Sequence, residues 1–329
     1  MMFKYFLIVF LVFIGIPDIS NCQNKEKPVS VIFDSDMGPD YDDVGALALL
    51  HALADSGEAK ILATVGSNRY SQIAEVFDVI NTYFGHPDLP IGVPRGASVE
   101  MKDWQGWSNV IVSKYQHDVN SNEDVYGAVE LYRKILSKQT DNSINIVTVG
   151  FLTNMADLLE SKPDKYSELN GRQLVAKKVN KLVSMAGKFP SGKEFNVIKD
   201  IPASDYVFEN WPTEIVLSGF GIGNKIKTGI PLIENKNIES SPIKDVYSIC
   251  IPKSEGDKNG RSSWDQTAVL VAVRGADPYY HKVPGQITLN HEGENEWIAS
   301  EGSHYYLVET KPVEYMQVLI NELMQHQGE

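Results

Sequence analysis

Val31–Leu50 reads VIFDSDMGPDYDDVGALALL. The opening Val31–Phe33 is apolar and reads as a buried strand, and Val44–Leu53 is apolar enough to be a packed helix. Five carboxylates lie between them within ten residues, Asp34, Asp36, Asp40, Asp42 and Asp43, with Gly38 and Pro39 breaking the chain in their midst. The acids therefore sit on a loop at the carboxyl end of a strand, where open α/β sheets place their ligand sites. Five like charges this close repel one another, and a hard divalent cation held by carboxylate oxygens relieves that cost. The EF-hand pattern does not fit, because the fifth position counted from Asp34 is Gly38 and the twelfth is Gly45 rather than Glu. A solvated turn in which Asp42 or Asp43 caps the helix accounts for one or two of the acids, hardly for five. A D-x-D after a strand also serves as an aspartyl phosphohydrolase nucleophile, here Asp34, but that motif wants Thr or Val where this chain has Gly38.

Outward from this stretch, strand-like and helix-like runs alternate. Lys60–Val65, Pro90–Val93, Ile144–Val149, Val179–Met185 and Glu214–Ser218 read as strands; Ser71–Phe84, Asp124–Lys138, Thr153–Glu160 and Ala203–Asn210 read as helices. That order implies an α/β fold, an open, mainly parallel, Rossmann-like sheet with helices on both faces. Val99–Asp124 is polar, aromatic and irregular, so it reads as a loop over the site. Its Met101, Trp104, Trp107 and Tyr115 are equally suited to the core beneath such a loop. The region after Pro278, including His291–Trp297, has no clear assignment beyond a late hairpin.

At 329 residues, 43% hydrophobic and 22% charged, the composition is that of an ordinary globular chain. The net charge of −13 argues against nucleic-acid backbones or anionic membranes as partners, though not against a neutral nucleoside or sugar. Lys4 followed by apolar Phe6–Ile16 has the form of a signal peptide, too short for a comfortable transmembrane helix. Ile19-Ser20-Asn21-Cys22 resembles a bacterial lipobox, so two outcomes stand side by side: a lipid anchor at Cys22, or simple cleavage and release. The expected organisation is a signal segment 1–22, a polar tether 23–28 and one domain over 29–329, exported from a bacterial cytosol as a periplasmic, lipid-anchored or secreted protein. Cys250 is the only other cysteine, so no disulfide framework is in play.

Several strand ends carry polar residues that a packed core would not choose: Asn68, the run Val149-Gly150-Phe151-Leu152-Thr153-Asn154, Glu194-Phe195-Asn196 beyond Met185-Ala186-Gly187, and Trp264-Asp265 ahead of the apolar run Thr267–Val273. Singly, Asn68 and Asn154 suit turns and Asp265 suits a helix cap. Together with the five acids they resemble the calcium-dependent nucleoside hydrolases, the inosine–uridine-preferring family. That family opens on D-x-D-x-G closed by D-D and a small-residue helix, matched by Asp34–Gly38 and Asp42-Asp43-Val44-Gly45-Ala46-Leu47 with two extra residues between. Its later Asn, T-G-P-L-T-N, M-G-G, E-F-N and late Asp match Asn68, Val149–Asn154, Met185–Gly187, Glu194–Asn196 and Asp265. The likeness runs from about Pro28 to Arg274.

The resemblance implies that Asp36, Asp43 and Asp265 bind Ca²⁺ through carboxylates and Val149 through its carbonyl. It implies that Asp42, Asn68, Glu194 and Asn196 hold ribose hydroxyls, and that Asp36 takes a proton from the attacking water. A further ribose Asn expected before E-F-N is missing from Lys188–Lys193. Inosine–uridine-type members carry His before the late Asp; this chain has Trp264, as purine-preferring members do, and a stacked indole raises the basicity of a bound purine. Trp104, Trp107 and His117 are further candidates beside the leaving base. The function implied is release of base and ribose from purine-leaning ribonucleosides, as in purine salvage, by a chain that in this family forms homo-oligomers. A non-catalytic or carbohydrate-binding member of the same fold, and the phosphohydrolase built on Asp34, are the alternatives.

Overall fold

A computed structural model describes residues 27–328. The signal segment, Cys22 and most of the tether lie outside the described residues. Thirteen strands are present among those residues. In chain order they are β1 (Val29–Ser35), β2 (Ala59–Gly66), β3 (Ile91–Val93), β4 (Tyr126–Gly127), β5 (Ile144–Thr148), β6 (Val179–Ser184) and β7 (Ser191–Lys193). They continue with β8 (Glu214–Leu217), β9 (Lys227–Thr228), β10 (Arg261–Ser262), β11 (Tyr280–Leu289), β12 (Glu294–Ile298) and β13 (His304–Glu309). Eleven of them form one sheet, ordered β4-β3-β2-β1-β5-β6-β8-β13-β11-β12-β7, while β9 and β10 pair separately. From β4 to β13 every pairing is parallel; β11, β12 and β7 extend the sheet antiparallel.

Val31–Ser35 is wholly buried because β1 lies mid-sheet, with apolar layers on both faces. A strand covered on both faces reads as a continuous apolar run, as Val31–Phe33 does. Successive strands step outward from β1 to β2 and β3 on one side, and the chain then crosses back to β5 on the other. That reversal opens a crevice between the carboxyl ends of β1 and β5. The ladder continues past those ends: the Ser67 amide donates to the Ser35 carbonyl, Val149 to Asp34, and Met185 to Thr148, each at 2.8 Å. The acid loop, Asn68, Val149 and Met185 therefore line one edge of the sheet.

Helices α1 (Asp42–Asp55), α2 (Ile73–Tyr83), α4 (Ala128–Leu136) and α5 (Thr153–Glu160) fall close to the runs that the sequence marks out, whereas α3 (Trp107–Lys114) lies in a stretch read as loop. Three readings change. Asp42 and Asp43 are inside the first turn of α1 rather than ahead of it. Val99–Asp124 is not all loop: Trp107 and Ile111 bury one face of α3 in the core, and only the flanks are irregular. The stretch after Pro278 forms β11, β12 and β13, and β12 pairs with β7. β7 leads directly into Glu194, so this late hairpin fixes the segment that carries Glu194 and Asn196. None of the described helices is long and apolar enough to cross a membrane.

Candidate active site

The acid loop leaves β1 and turns back into α1 through Ser35, whose Oγ donates to Asp43 Oδ1 at 2.5 Å and accepts from the Met37 amide at 3.0 Å. Asp42 and Asp43 occupy the helix start, where free amides and the helix dipole favour negative charge. α1 packs against the helix Trp264–Arg274, and Asp265 lies in the first turn of that helix. The two helix starts thus meet over the crevice. Asp36 is 5% exposed and Asp265 is 4% exposed.

One oxygen each from Asp40, Asp42 and Asp43 lie within 4.8 Å of one another. Asp36 and Asp265 belong to the same electrostatic cluster. Burial, then repulsion from Asp43 and Asp40, holds Asp36 well above the usual carboxylate range; burial, then Asp42 and Asp43, does the same to Asp265. Burial and Asp42 push Asp43 up to about 6. Burial pushes Asp40 and Asp42 up to about 7 against the pull of Arg261. Asp43 Oδ2 is buried with no hydrogen-bond partner. A set of buried anionic oxygens, one of them unpartnered, fits a hard divalent cation. Asp43 is common to this converging trio and to the set that the resemblance implies. Asp40, to which the sequence assigns no role, joins it.

Val149 turns its carbonyl toward Asn196, whose Nδ2 donates to it at 2.9 Å and to the Met185 carbonyl at 3.1 Å. The next residue must be glycine: a Cβ on Gly150 would lie 2.3 Å from the Asp36 nitrogen and 2.5 Å from Ser67 Oγ. Glu194 caps the short helix Phe195–Lys199, accepting from the Asn196, Val197 and Gly187 amides, and burial pushes it up to about 7. Asn68 donates to the Asp36 and Met101 carbonyls and accepts from the Tyr70 and Met101 amides. In this conformation Asn68 pins the segment at Met101 against the acid loop.

Other candidates separate. Asp34 is wholly buried, its Oδ2 held by Tyr132 at 2.8 Å and Asn154 at 2.9 Å, and burial pushes it up to about 7. A nucleophile must be presented to its substrate, and this carboxylate is tied into the interior, so the structure gives no support to a phosphohydrolase built on it. Trp107 is core, which corrects its place among residues beside the base; Trp104 is 58% exposed. His117 contacts the Tyr115 carbonyl and lies near Glu75. Trp264 stacks on Phe220 at 5.4 Å and donates its indole N–H to the Phe220 carbonyl at 3.0 Å.

The sequence reading passes over Arg261. Its Nε and Nη2 donate to Asp42 Oδ1 at 2.9 and 2.7 Å, and Nη2 donates to Asp40 Oδ2 at 2.6 Å. Its guanidinium lies 5.0 Å from the Tyr41 ring centre and 4.9 Å from that of Trp264. Tyr41 in turn donates to Asp257 Oδ2 at 2.8 Å. Arg261 is thus the cation that holds the outer acids of the loop. Its placement at the start of β10, three residues before Trp264, is the only local signal that marks it.

With this geometry in hand, comparison with known families is decisive. The model for inosine-uridine preferring nucleoside hydrolases matches residues 31–313. This chain belongs to that family. It is therefore an N-glycosyl hydrolase of a metal-dependent family that acts on small nucleosides. Its fold is similar to the purine-preferring ribonucleoside hydrolase from Gardnerella vaginalis, with TM-score 0.70 and 17% identity over 90% of this chain and 99% of that one. It is also similar to a plant nucleoside hydrolase (TM-score 0.69, 19% identity, 91% and 99% covered). A third likeness is to the inosine-uridine preferring nucleoside hydrolase from Bacillus anthracis (0.66, 16%, 90% and 99%). No curated protein matches the sequence.

Proposed function

We propose that this chain hydrolyses the N-glycosidic bond of ribonucleosides, purine ones by preference, with Ca²⁺ as its ion, and that it works after export from the cytosol. The observation that carries the reading is the acid cluster at the crevice between β1 and β5, with its unpartnered Asp43 oxygen. Asp36, Asp43 and Asp265 would hold the ion, with the Val149 carbonyl and Asp40 at hand. When bound, such an ion lowers the pKa of a coordinated water and orients it.

The chain's own residues do the rest. Asp36 is a buried carboxylate at the crevice, and as a holder of the same ion it suits the role of proton acceptor. It takes the proton of the water that attacks C1′, while the bond to the base lengthens through a transition state of oxocarbenium character. Asp42, next to Asp43 on α1, accepts from a ribose hydroxyl in this reading. Glu194 and Asn196, tied to the backbone around Met185 and Val149, shape the far wall and fix the sugar's position. No covalent intermediate is needed, so inversion at C1′ is expected. Trp264 favours purine leaving groups through its ring. Ribose release from inosine, guanosine, adenosine, uridine and cytidine, with calcium and with a chelator, tests the reading. Calcium-dependent release that is faster from purine nucleosides supports it, and no release from any of the five overturns it.

A further inference from the structure

We propose that Arg261 is a built-in cation standing where a second metal ion would otherwise sit: it limits the acid loop to one ion and, as a positioning residue, turns the free oxygen of Asp42 toward the sugar. The inference rests on the reading above, in which Asp36, Asp43 and Asp265 hold the ion and Asp42 the ribose.

The loop between Gly38 and Asp42 is two residues longer than the pattern it resembles, and it carries a further acid, Asp40. With Asp36, Asp42, Asp43 and Asp265 this makes five carboxylates in one electrostatic cluster. Crowded acids are also how two-metal sites are built, with ions about 3.5–4 Å apart. Here a side chain supplies the second positive charge. Arg261 Nε and Nη2 donate to Asp42 Oδ1 at 2.9 and 2.7 Å, Nη2 donates to Asp40 Oδ2 at 2.6 Å, and Nη1 pairs with Asp257 Oδ2 at 3.8 Å. The arginine side chain is 13% exposed, so water and salt screen these pairs little. Tyr41, between the two acids, donates to Asp257 and lies 5.0 Å from the guanidinium. Three successive residues, Asp40, Tyr41 and Asp42, are therefore fastened to the segment Asp257–Arg261. Gly260 lets that segment bend into place: its φ is +108°, and a Cβ there would lie 2.6 Å from the Thr228 carbonyl oxygen.

A guanidinium keeps its proton across the working range of an enzyme, so the charge is permanent. An ion entering between Asp40 and Asp42 would strip a buried arginine of its partners, which opposes its entry. The same bonds divide the oxygens of the loop. Asp42 gives Oδ1 to Arg261, while its Oδ2 accepts no hydrogen bond among the described residues and, unlike Asp43 Oδ2, is not sealed from solvent. Two donors on Oδ1 fix the plane of the Asp42 carboxylate and leave Oδ2 one direction in which to accept. Neighbouring acids on α1 thus serve different partners, Asp43 the ion and Asp42 the sugar.

The test is calorimetric calcium binding to the chelated wild type, Asp42→Asn, Arg261→Lys and Arg261→Met, beside KM and kcat for inosine. The wild type and Asp42→Asn are expected to bind one ion with affinities within about threefold of each other. Arg261→Met is expected to take up a second ion, and Arg261→Lys, which keeps the charge, to bind one. Both arginine variants should raise KM by about tenfold with a smaller fall in kcat, because the fork that orients Asp42 is lost. Two ions in the wild type, a calcium affinity about tenfold or more weaker in Asp42→Asn, a single ion in Arg261→Met, or a wild-type KM in Arg261→Lys overturns the proposal. The ion counts need no turnover. A second ion in Arg261→Met and not in Arg261→Lys therefore supports the inference even where no nucleoside is cleaved and the hydrolase reading fails.

Discussion

Replacing Asp43 with Asn removes one charge from the cluster and almost nothing else, because the amide oxygen still accepts from Ser35 Oγ. In the absence of metal, Asp43 sits within 4.8 Å of Asp40 and Asp42. At that separation an effective dielectric of about 20 gives roughly 3.5 kcal/mol of repulsion per ionised pair. Arg261 offsets part of this at Asp40 and Asp42, leaving a net relief of about 1–2 kcal/mol in the variant. The metal-free variant should therefore melt higher than the metal-free wild type, by roughly 2–5 °C for a chain of this size. Calcium should reverse the order. At about one hundred times its dissociation constant a ligand stabilises by about 2.7 kcal/mol, and a hundredfold loss of affinity cuts that to about 0.4 kcal/mol. Thermal unfolding at pH 8, in chelator and in excess calcium, reads both effects. A metal-free variant no more stable than the wild type, together with an undiminished calcium shift, would show that these acids are not crowded around an ion site.

Further outcomes follow from the same geometry. Asp36→Asn should lower kcat by about 10²–10⁴ with folding retained, read by ribose release beside circular dichroism, and near-normal turnover would remove Asp36 as the proton acceptor. Asp43 at about 6 and Asp40 and Asp42 at about 7 are all raised above the unfolded carboxylate value. Their contribution to the metal-free fold is thus complete below about pH 4 and is lost as pH climbs through 6 to 7. Calcium must displace those protons, so its stabilisation should be small at pH 5 and should grow toward pH 8; equal melting shifts at both ends would contradict this. Gly150→Ala drives a methyl into the Asp36 backbone and should cost about 2 kcal/mol or more in a chemical denaturation, with loss of turnover.

How far the site was legible in the sequence depends on how far apart its parts lie in the chain. The acids of Asp34–Asp43 announce themselves because a buried strand ends and a buried helix begins within ten residues. Asp265 is legible because it precedes another apolar helix. Arg261 is not: its partners Asp42 and Asp40 lie 219 and 221 residues away, and no periodicity reports such a pairing. Asp34 and Asp36 share one motif, yet Asp34 is still within β1, buried against Tyr132 and Asn154, while Asp36 lies past the strand's end. Trp107 misleads because the polar residues around it disguise the short helix whose buried face it forms. The stretch after Pro278 gives little away, since β12 acquires its purpose only by pairing with β7 ahead of Glu194.

The most direct test is a calcium titration of the chelated enzyme, with inosine cleavage as the readout. The rate should begin at background and rise to a plateau at one ion per chain, and the Asp43→Asn and Asp265→Asn proteins should fail to follow. Full turnover in chelator, or a wild-type response to calcium that both variants share, would contradict the claim that these acids gather a single ion to drive the reaction.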